Sequence, residues 1–461
     1  MNGFSAKAGL ARSIGQLTRI SRRGGGTSLP GKVLLKLEPR ALTELSSRLT
    51  HGCAVLSGTN GKTTTANMTA TVLELAGYRL VYNRTGANMA GGIASTLLAA
   101  AKRRRAIDGD TGLFEVDEFW LNSVTAQVQP RALLMANLFR DQLDRYGELE
   151  TIGERWKDLV AELPSTTTLV LNADDPLVAD LGQDRPGVMY FGVEDPAMAL
   201  PGIQHASDSK YCRHCGAPYA YDAVYLGHLG RYHCPSCGSS RPQPEVYARE
   251  IRLDGTSQAS FTMVTQAGQR ALALPLPGLY NVYNALAAAS LCLALGVSLD
   301  DVAAGLQATE AAFGRAETIK FANSSLQILL IKNPAGANEV LRTLALESQA
   351  VHVLAVLNDN VADGRDVSWI WDADFELLAG AVSHVTCSGT RAAEMAVRLK
   401  YAGVPTDAID LVEELPAALT HALKQADGQR LFAIPTYTAM LALQHELASQ
   451  GHINHYWEHR R

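Results

Sequence analysis

The feature that most constrains the fold is a glycine-rich turn between an apolar run and a helix-like stretch. The apolar run Cys53–Ser57 is typical of a strand buried on both faces, and residues 64–76 have the pattern of a helix that ends at Gly77. In such a unit, glycines let backbone N–H groups converge on phosphate oxygens, and the helix N-terminus adds its positive dipole end. The sequence therefore predicts a nucleoside triphosphate site in the turn, formed by Gly58, Thr59, Asn60, Gly61, Lys62, Thr63 and Thr64.

The turn matches a shorter variant of the phosphate-binding motif, G-T-N-G-K-T-T, because Leu56 stands where the longer form has glycine. Three side chains have expected roles in this site. Lys62 is expected to reach the β- and γ-phosphates, and the Thr63 hydroxyl is expected to ligate Mg²⁺. Glu115, at the end of the strand-like run 113–116, is the candidate for a second Mg²⁺ ligand.

The two acidic residues that follow Glu115 are interpreted differently. Asp117 and Glu118 lie just beyond the strand-like run, where a loop is expected. We interpret them as solvated loop charges.

Apolar runs alternate with helical stretches along most of the chain. This alternation predicts an α/β fold with largely parallel sheets. The further runs lie at residues 113–116, 132–136, 169–171, 328–331, 351–357, 382–387 and 431–434.

Composition and length suggest how the chain divides. Its 461 residues are enough for two to four domains. We expect a basic N-terminal segment at 1–45, a central ATPase domain at 46–318 and a C-terminal α/β domain at 319–461. Residues 205–245, rich in Cys, His, Tyr, Gly and Pro, are interpreted as an insert that cannot build its own core. The basic segment is interpreted as a solvated helix and a glycine loop, with contact to an anionic membrane surface as the alternative.

The charge balance and hydropathy exclude several classes of protein. A hydrophobic fraction of 47% excludes a disordered chain, and a net charge of −5 gives no reason to expect nucleic acid as a partner. The sequence has no apolar run of the roughly 18–20 residues that span a bilayer, and its first residues lack the apolar region of a secretion signal, so we do not expect secretion. We therefore expect a cytoplasmic protein.

Four of the seven cysteines form two C-x₂-C pairs at the spacing of a zinc ribbon: Cys212, Cys215, Cys234 and Cys237. Gly216 and Gly238 follow the second cysteine of each pair, as a tight metal-binding turn requires. Four thiolates leave no open coordination position, so we expect a structural Zn²⁺ ion. Disulfides and ligation by His214 or His233 are the alternatives. The other three cysteines have apolar surroundings and are interpreted as core residues: Cys53, Cys292 and Cys387.

Five motifs in order make the chain resemble the Mur ligase superfamily, ATP-dependent enzymes that add amino acids to peptidoglycan precursors. They are the turn at 58–64 and the segments 137–146, 172–176, 277–285 and 313–315. The resemblance implies ATP and Mg²⁺ as cofactors. It also places Asn284 at the nucleotide base and Arg315 at the phosphates.

The chain departs from the superfamily pattern at two positions. Gln142 stands where a metal-binding histidine is usual, and Lys332 stands within a segment that replaces an acidic D-Y-A-H-N-P-type motif. By spacing, Lys157 is a candidate for the superfamily's carbamoylated lysine. A plain solvated lysine is the alternative.

The cysteine insert and the C-terminal segments 332–339 and 363–372 narrow the resemblance to the MurT family, the synthetase subunits of lipid II isoglutaminyl synthase. The resemblance implies a Mur-ligase-type P-loop ATPase domain with a zinc-ribbon insert, followed by a Rossmann-like α/β domain. It implies amidation of the D-glutamate α-carboxylate in the lipid II stem peptide through an acyl phosphate, at the inner face of the membrane.

The same resemblance implies a partner. A separate GatD-like class-I glutaminase would release ammonia from glutamine, in a heterodimer or a larger assembly. An aspartate of this chain would complete the partner's Cys–His pair, with Asp366 the first choice and Asp363 the next. Two alternatives remain, a stand-alone amino-acid ligase of the Mur or folylpolyglutamate type and a non-catalytic nucleotide-binding scaffold.

Overall fold

The structure, a computed structural model, describes residues 4, 7–13, 28–84, 87–102, 106–141, 149–204, 207–310, 315–321 and 323–453. In this part of the chain, two sheets covered by helices follow one another, and a two-stranded hairpin accompanies the first sheet. The α/β layering predicted from the sequence is therefore confirmed.

The first sheet contains nine described strands in the order β11-β10-β9-β6-β5-β4-β1-β3-β2. Its first part is parallel throughout, whereas β9, β10 and β11 pair antiparallel and make the sheet mixed. The strands of this sheet and of the hairpin are Cys53–Ser57 (β1), Leu80–Tyr82 (β2), Thr111–Glu115 (β3), Ala132–Met135 (β4), Thr168–Asn172 (β5), Val188–Val193 (β6), Ala220–Leu226 (β7), Leu229–His233 (β8), Val246–Asp254 (β9), Gln258–Thr265 (β10) and Gly268–Leu274 (β11).

Helices cover both faces of the first sheet and create a hydrophobic core on each side. Strands β1, β3 and β4 are therefore buried along their whole length, as parallel strands between two helix layers must be. The helices are Leu29–Leu37 (α1), Ala41–Ser46 (α2), Lys62–Leu75 (α3), Ala90–Ala100 (α4), Leu121–Val128 (α5), Leu149–Glu162 (α6), Pro176–Asp180 (α7), Leu279–Ala294 (α8) and Leu299–Gln307 (α9).

The second sheet contains six described strands in the order β12-β13-β17-β14-β15-β16. All its pairings are parallel except that of β12 with β13, and it also has a core on each face. Its strands are Arg315–Lys320 (β12), Ser325–Leu329 (β13), Val351–Val356 (β14), Val382–Ser388 (β15), Ile409–Leu411 (β16) and Arg430–Pro435 (β17). Its helices are Pro334–Ala345 (α10), Ala392–Tyr401 (α11), Leu415–Gln425 (α12) and Tyr437–Ser449 (α13).

All the predicted apolar runs overlap strands, although the run at 328–331 shares only residues 328 and 329 with β13. Helix α3 begins at Lys62, ahead of the predicted residue 64, so the lysine lies in its first turn. Strand β12 begins at Arg315, just ahead of the predicted domain boundary at 318. The domain ranges otherwise stay a prediction.

The cysteine-rich insert shares the core of the larger domain. The turn between β7 and β8 places Tyr225, Leu226 and Leu229 in the same hydrophobic core as the first sheet. Two of the four cysteines, Cys212 and Cys234, form a separate small cluster with Tyr219 and Tyr232. The insert thus obtains its apolar contacts from the larger domain, as its own poverty in aliphatic residues requires.

The described part of the basic N-terminal segment packs against the first domain. Lys7 Nζ lies 3.0 Å from Glu38 Oε2, and Arg12 donates to the carbonyl oxygen of Leu98 at 2.9 Å. The glycine loop predicted at 24–26 lies outside the described residues. In the described ranges, no helix combines the length and apolarity that a membrane crossing requires.

Candidate active site

The glycine-rich turn lies between β1 and α3, as the sequence predicted. Gly61 is the N-cap of α3 and has φ of 80°, in the left-handed region that glycine adopts without strain. No side chain caps this helix, and its first turn contains no acidic residue. The first N–H groups of α3 and its positive dipole end are therefore available to an anion.

Position 61 also requires glycine because the side chain of Asn284 lies directly against it. A Cβ atom at Gly61 would lie 2.0 Å from Asn284 Oδ1. Asn284 is buried on α8, where its Oδ1 accepts a hydrogen bond from Thr65 Oγ1 at 3.3 Å. The structure thus brings the distant Asn284 against the turn, although its predicted contact with the nucleotide base stays a prediction.

Lys62 is held by the turn and by a buried carboxylate. Its Nζ atom lies 2.9 Å from Glu118 Oε2 and 3.3 Å from the carbonyl oxygen of Thr59, and it also contacts that of Gly58. Burial by itself would lower the pKa of Lys62, but the nearby carboxylates, led by Glu118, raise it above its ordinary value. Lys62 is therefore a fixed positive charge beside the helix N-terminus.

The interpretation of Asp117 and Glu118 as solvated loop charges was wrong. Their exposed fractions are 8% and 9%, because the segment after β3 turns inward over the glycine-rich turn. Burial would raise the pKa of Glu118, but the charges of Lys62 and Lys332 hold it below its ordinary value. Glu118 is thus a carboxylate that keeps its charge in a buried ion pair.

Thr63 and Glu115 are adjacent, as the sequence predicted for a metal site. Thr63 Oγ1 donates to Glu115 Oε1 at 3.2 Å. Glu115 Oε2 is buried and has no hydrogen-bond partner in the described ranges. A hydroxyl and a carboxylate with an unused oxygen, next to a phosphate-binding turn, are a donor set that fits Mg²⁺.

Asn83 fixes the position of Glu115 and was missed by the sequence analysis. Its Oδ1 accepts a hydrogen bond from Glu115 N–H at 3.0 Å, and its Nδ2 donates to the Glu115 carbonyl oxygen at 2.8 Å. Asn83 directly follows the short strand β2, and a lone asparagine after a three-residue strand carries no recognisable signal.

The C-terminal domain contributes to the same site through the start of α10. Asn333 and Asn60 exchange side-chain hydrogen bonds, at 3.0 and 3.3 Å. Lys332 donates from Nζ to the Thr59 carbonyl oxygen at 3.1 Å and pairs with the carboxylate of Asp141. The residues that interrupt the superfamily motif therefore lie directly on the glycine-rich turn.

A cleft of about 360 Å³ lies between the two domains at this point. The carboxyl of Glu339, on α10, also lines the cleft, and burial raises its pKa to about 7. The predicted residues that line the cleft are Thr59, Asn60, Gly61, Lys62, Thr63, Thr64, Glu115 and Asn284.

For three residues singled out in the sequence, the structure describes no contribution to the cleft. The side chain of Arg315 and the whole of Gln142 lie outside the described residues. Lys157 is exposed on α6 and is not among the described residues that line the cleft. The exposure agrees with a solvated lysine, and the carbamoylation of Lys157 stays untested.

The four cysteines of the insert converge, as their spacing predicted. The sulfurs of Cys212 and Cys237 lie 3.5 Å apart, those of Cys215 and Cys234 lie 3.4 Å apart, and all four fall within 4.8 Å of one another. Thiolates bound tetrahedrally to zinc at about 2.3 Å would be about 3.8 Å apart, so the residues present fit Zn²⁺.

The remaining features of the insert favour the cysteines as the ligand set. Gly216 and Gly238 both have positive φ, at 74° and 80°, in the turns that direct the sulfurs inward. His214 is bound instead to Asp180, with Nε2 2.7 Å from Oδ1. The four thiols are free rather than paired in disulfides.

The other cysteines are core residues, as predicted. Cys53, Cys292 and Cys387 are all buried. Burial raises the pKa of the Cys53 and Cys387 thiols to about 12, which is the opposite of an activated nucleophile.

The two candidate aspartates of the C-terminal domain have different environments. Asp363 is buried and accepts a hydrogen bond from Thr438 N–H at 2.7 Å, in the first turn of α13. Asp366 is exposed, and among the described residues its carboxylate accepts hydrogen bonds only from its neighbour Ser368, from the side chain and from the N–H at 2.8 Å. Hydrogen bonds from Ser368 lower the pKa of Asp366, so it is ionised near neutral pH.

An exposed aromatic pair lies near this segment. Trp371 is 51% exposed and Tyr401 is 73% exposed, and their ring centroids are 5.9 Å apart. Exposed aromatic side chains that contact one another are typical of a protein interface.

Comparisons with known proteins agree with this geometry. Two family models match the chain, the Mur ligase middle domain over residues 56–233 and "MurT ligase C-terminal" over residues 330–440. The chain is 32% identical over 432 residues to the MurT subunit of the glutamine-hydrolysing lipid II isoglutaminyl synthase of Streptococcus pneumoniae, over 94% of each chain. It is 32% identical to the same subunit of Staphylococcus aureus, over 92% of this chain and 93% of that one.

Among solved structures, the fold is similar to that of a pseudomurein peptide ligase type C from Methanothermus fervidus. The TM-score is 0.65 at 23% identity, over 88% of this chain and 80% of that chain.

Proposed function

The chain belongs to the MurT family of lipid II isoglutaminyl synthase subunits, and from that premise we propose how its residues amidate lipid II. It is an ATP-dependent ligase of peptidoglycan synthesis. The observation that carries the proposal is the meeting of Lys62, Thr63 and Glu115 at the N-terminus of one helix, in a cleft between two domains. This arrangement has the cation, the helix dipole and the metal-binding oxygens that phosphoryl transfer requires.

We assign the chemistry in two steps. An oxygen of the D-glutamate α-carboxylate attacks the γ-phosphorus of ATP, so that an acyl phosphate forms and ADP leaves. Ammonia then attacks the acyl carbon, phosphate leaves, and the nitrogen loses a proton to give the carboxamide. The protein contributes position and charge, because Lys62 and the first N–H groups of α3 stabilise the negative oxygens of the transferring group.

Thr63 and Glu115 would hold Mg²⁺. A bound Mg²⁺ ion neutralises phosphate charge and orients the γ-phosphate. The unpartnered Oε2 of Glu115 supports this assignment.

The choice of ammonia as the nucleophile rests on the segment at Lys332. An enzyme that uses ammonia has no incoming amino acid to bind, so it has no need of the acidic motif that Lys332 and its neighbours replace. In this chain the segment contacts the phosphate turn instead.

A separate glutaminase subunit supplies the ammonia in this proposal. The core cysteines are unsuited to nucleophilic attack because burial raises their pKa, and the four insert cysteines are assigned to zinc, so we assign the glutamine-hydrolysing thiol to the partner. Asp366 is our candidate for the carboxylate that completes the partner's Cys–His pair, because it is exposed and ionised. Trp371 and Tyr401 would form part of the contact surface.

Two further parts of the proposal concern zinc and location. The four cysteines of the insert would hold one structural Zn²⁺ ion. The enzyme would act in the cytoplasm at the inner face of the membrane, where the lipid-linked substrate is anchored.

The test is amidation of a D-glutamate-containing lipid II by the purified chain with ATP and Mg²⁺. One reaction receives ammonium alone, and another receives glutamine with the candidate glutaminase. We expect product in both. In Lys62→Ala we expect kcat to fall by about 10²–10³-fold in both reactions, because the loss of one group that stabilises developing charge has an effect of that size.

Lys320→Ala is the matched control, because Lys320 is exposed on β12 and is part of neither the cleft nor the proposed contact surface. It should retain full activity. Amino-acid addition without amidation would instead identify a stand-alone ligase, and undiminished amidation by Lys62→Ala would contradict the assignment of this cleft.

A further inference from the structure

A second group of metal-ligating side chains lies on the C-terminal domain, outside the nucleotide cleft. It consists of His384 on β15, Asp410 on β16 and His421 on α12. Their ligand atoms lie within 4.8 Å of one another. The group is thus assembled from three separate elements of the second sheet.

Both imidazoles approach the same carboxylate oxygen. His384 Nε2 lies 2.6 Å from Asp410 Oδ2, and His421 Nε2 lies 2.5 Å from the same atom. Two nitrogens and one oxygen converging on a point are the donor set that binds Zn²⁺ and other divalent first-row ions, with nitrogen and oxygen ligands about 2.0–2.2 Å from the metal. Ligands at that radius lie about 3.4 Å apart, so small side-chain rotations would admit an ion.

The position in the sheet gives the group access to solvent. Strand β16 is the edge of the described sheet, and the side chains of Asp410 and His421 are each 35% exposed while that of His384 is 16% exposed. An ion could enter from the edge and keep water in its remaining coordination positions.

A neighbouring histidine supplies an independent observation. His352 is the partner of His384 in the register of β14 and β15. It is 9% exposed, and its Nδ1 atom has no hydrogen-bond partner among the residues described. A buried imidazole nitrogen without a partner is costly, so the described hydrogen bonds leave one polar atom unsatisfied on the strand next to His384.

The group is also separate from the nucleotide cleft. His384 lies in the first half of β15, and its neighbour His352 lies near the start of β14. The cleft is instead lined by residues that follow the carboxyl ends of β13, β14 and β17, among them Lys332, Ala362 and Tyr437. An ion here would join the edge strand β16 to α12 and take no part in phosphoryl transfer.

We propose that His384, Asp410 and His421 form a binding site for one divalent transition-metal ion of the Zn²⁺ type, which fixes the edge of the C-terminal domain. The alternative is a plain hydrogen-bonded cluster in which both Nε2 atoms carry protons. The two differ in one measurable property, because only the first binds metal.

The experiment is a Zn²⁺ titration of the full chain, followed by calorimetry and by metal analysis after gel filtration. The insert cysteines are present in every variant, so the difference between variants reports the histidine group alone. We expect wild type to bind one more ion than His421→Ala or Asp410→Asn, or those variants to bind it at least about tenfold more weakly, since even outer-shell changes cost about that much.

His445→Ala is the matched control, because this histidine is exposed on α13 in the same domain. It should bind zinc as wild type does. His384→Gln is a further test variant that keeps a polar side chain on the strand, and circular dichroism checks that each variant is folded. Equal stoichiometry and equal affinity in wild type and all folded variants would overturn the proposal.

Discussion

At the scale of single residues, the clearest distinction is between two aspartates of one loop. Asp363 and Asp366 belong to the same sequence motif, and sequence alone could not rank them safely. In the structure, the Asp363 carboxylate is committed to the N-terminus of α13 through Thr438. Among the contacts described, Asp366 is bound only by its neighbour Ser368, so it is the carboxylate that a partner can reach.

We predict that Asp366→Asn abolishes amidation driven by glutamine and leaves amidation driven by ammonium unchanged. The asparagine oxygen can still accept the Ser368 N–H, so the loop should keep its conformation. What is lost is the negative charge that would orient the partner's histidine, a loss that can lower turnover by about 10⁴-fold in catalytic triads. Parallel assays with ammonium and with glutamine plus the glutaminase measure this.

Asp363→Asn is the matched comparison for that prediction. It should lower the free energy of unfolding by about 1 kcal/mol, because a charged contact at a helix N-terminus is weakened. A selective loss of the glutamine reaction in Asp363→Asn, with Asp366→Asn fully active, would reverse the assignment.

Other residues of the site show which roles a sequence motif can predict and which depend on contacts made only in the folded chain. Lys62 and Thr63 were identified because their neighbours along the chain carry the signal. Glu118 and Lys332 were not, because their roles arise from contacts with residues 62 and 59, which only the folded chain brings close. The local sequence around a charged residue after a strand is the same whether the side chain is solvated or buried.

At the scale of elements, the parallel strands that form continuous apolar runs were predictable. The less buried parallel strands β2, β6 and β16 and the antiparallel strands were not. Strands β1, β3 and β4 are continuous apolar runs because both of their faces are buried. Strand β9 alternates buried with more exposed residues because one face of that part of the sheet meets solvent. A search for apolar runs therefore finds the first kind and misses the second.

The cysteine insert is the element whose stability should depend on metal. Its small cluster contains Cys212, Cys234, two tyrosines and Ala179 of α7, which is little apolar area. We predict one tightly bound zinc per chain at this site. Cys215→Ser should remove that zinc, as measured by metal analysis, and should lower the melting temperature.

Cys387→Ser is the control for the zinc prediction. This cysteine is buried in the C-terminal domain, so its change can affect stability but not zinc at the insert. A Cys215→Ser protein that retains its zinc and its melting temperature would show that the four sulfurs do not hold a metal.

At the scale of the whole molecule, the two domains meet through polar groups at the cleft. Among the described residues that line it, Lys62 and Lys332 face five acids: Glu115, Asp117, Glu118, Asp141 and Glu339. A triphosphate would be repelled unless the lysines exchange their carboxylate partners for phosphate oxygens. The same reasoning makes binding depend on Mg²⁺, because the ion would lie between the phosphates and the Glu115 carboxylate, whose Oε2 has no hydrogen-bond partner among the described residues.

We predict that Lys332→Met weakens the binding of a non-hydrolysable ATP analogue with Mg²⁺ by about tenfold. A charge-assisted hydrogen bond to phosphate contributes about 1.5–3 kcal/mol, and part of it is offset because Lys332 gives up Asp141. Calorimetric titration of the full chain measures the affinity. Lys320→Met, an exposed change on β12, should have no effect.

Because the Asn60–Asn333 pair is unchanged in Lys332→Met, this variant tests the loss of the Lys332 charge and not the loss of contact between the domains. Those hydrogen bonds still join the turn to the start of α10 in Lys332→Met, so the domains should keep their contact. If the affinity of Lys332→Met equals that of wild type, Lys332 serves only to join Thr59 to Asp141. If it falls as predicted, the C-terminal domain supplies a second cation to the phosphates, and nucleotide binding then favours the arrangement in which both domains close the cleft.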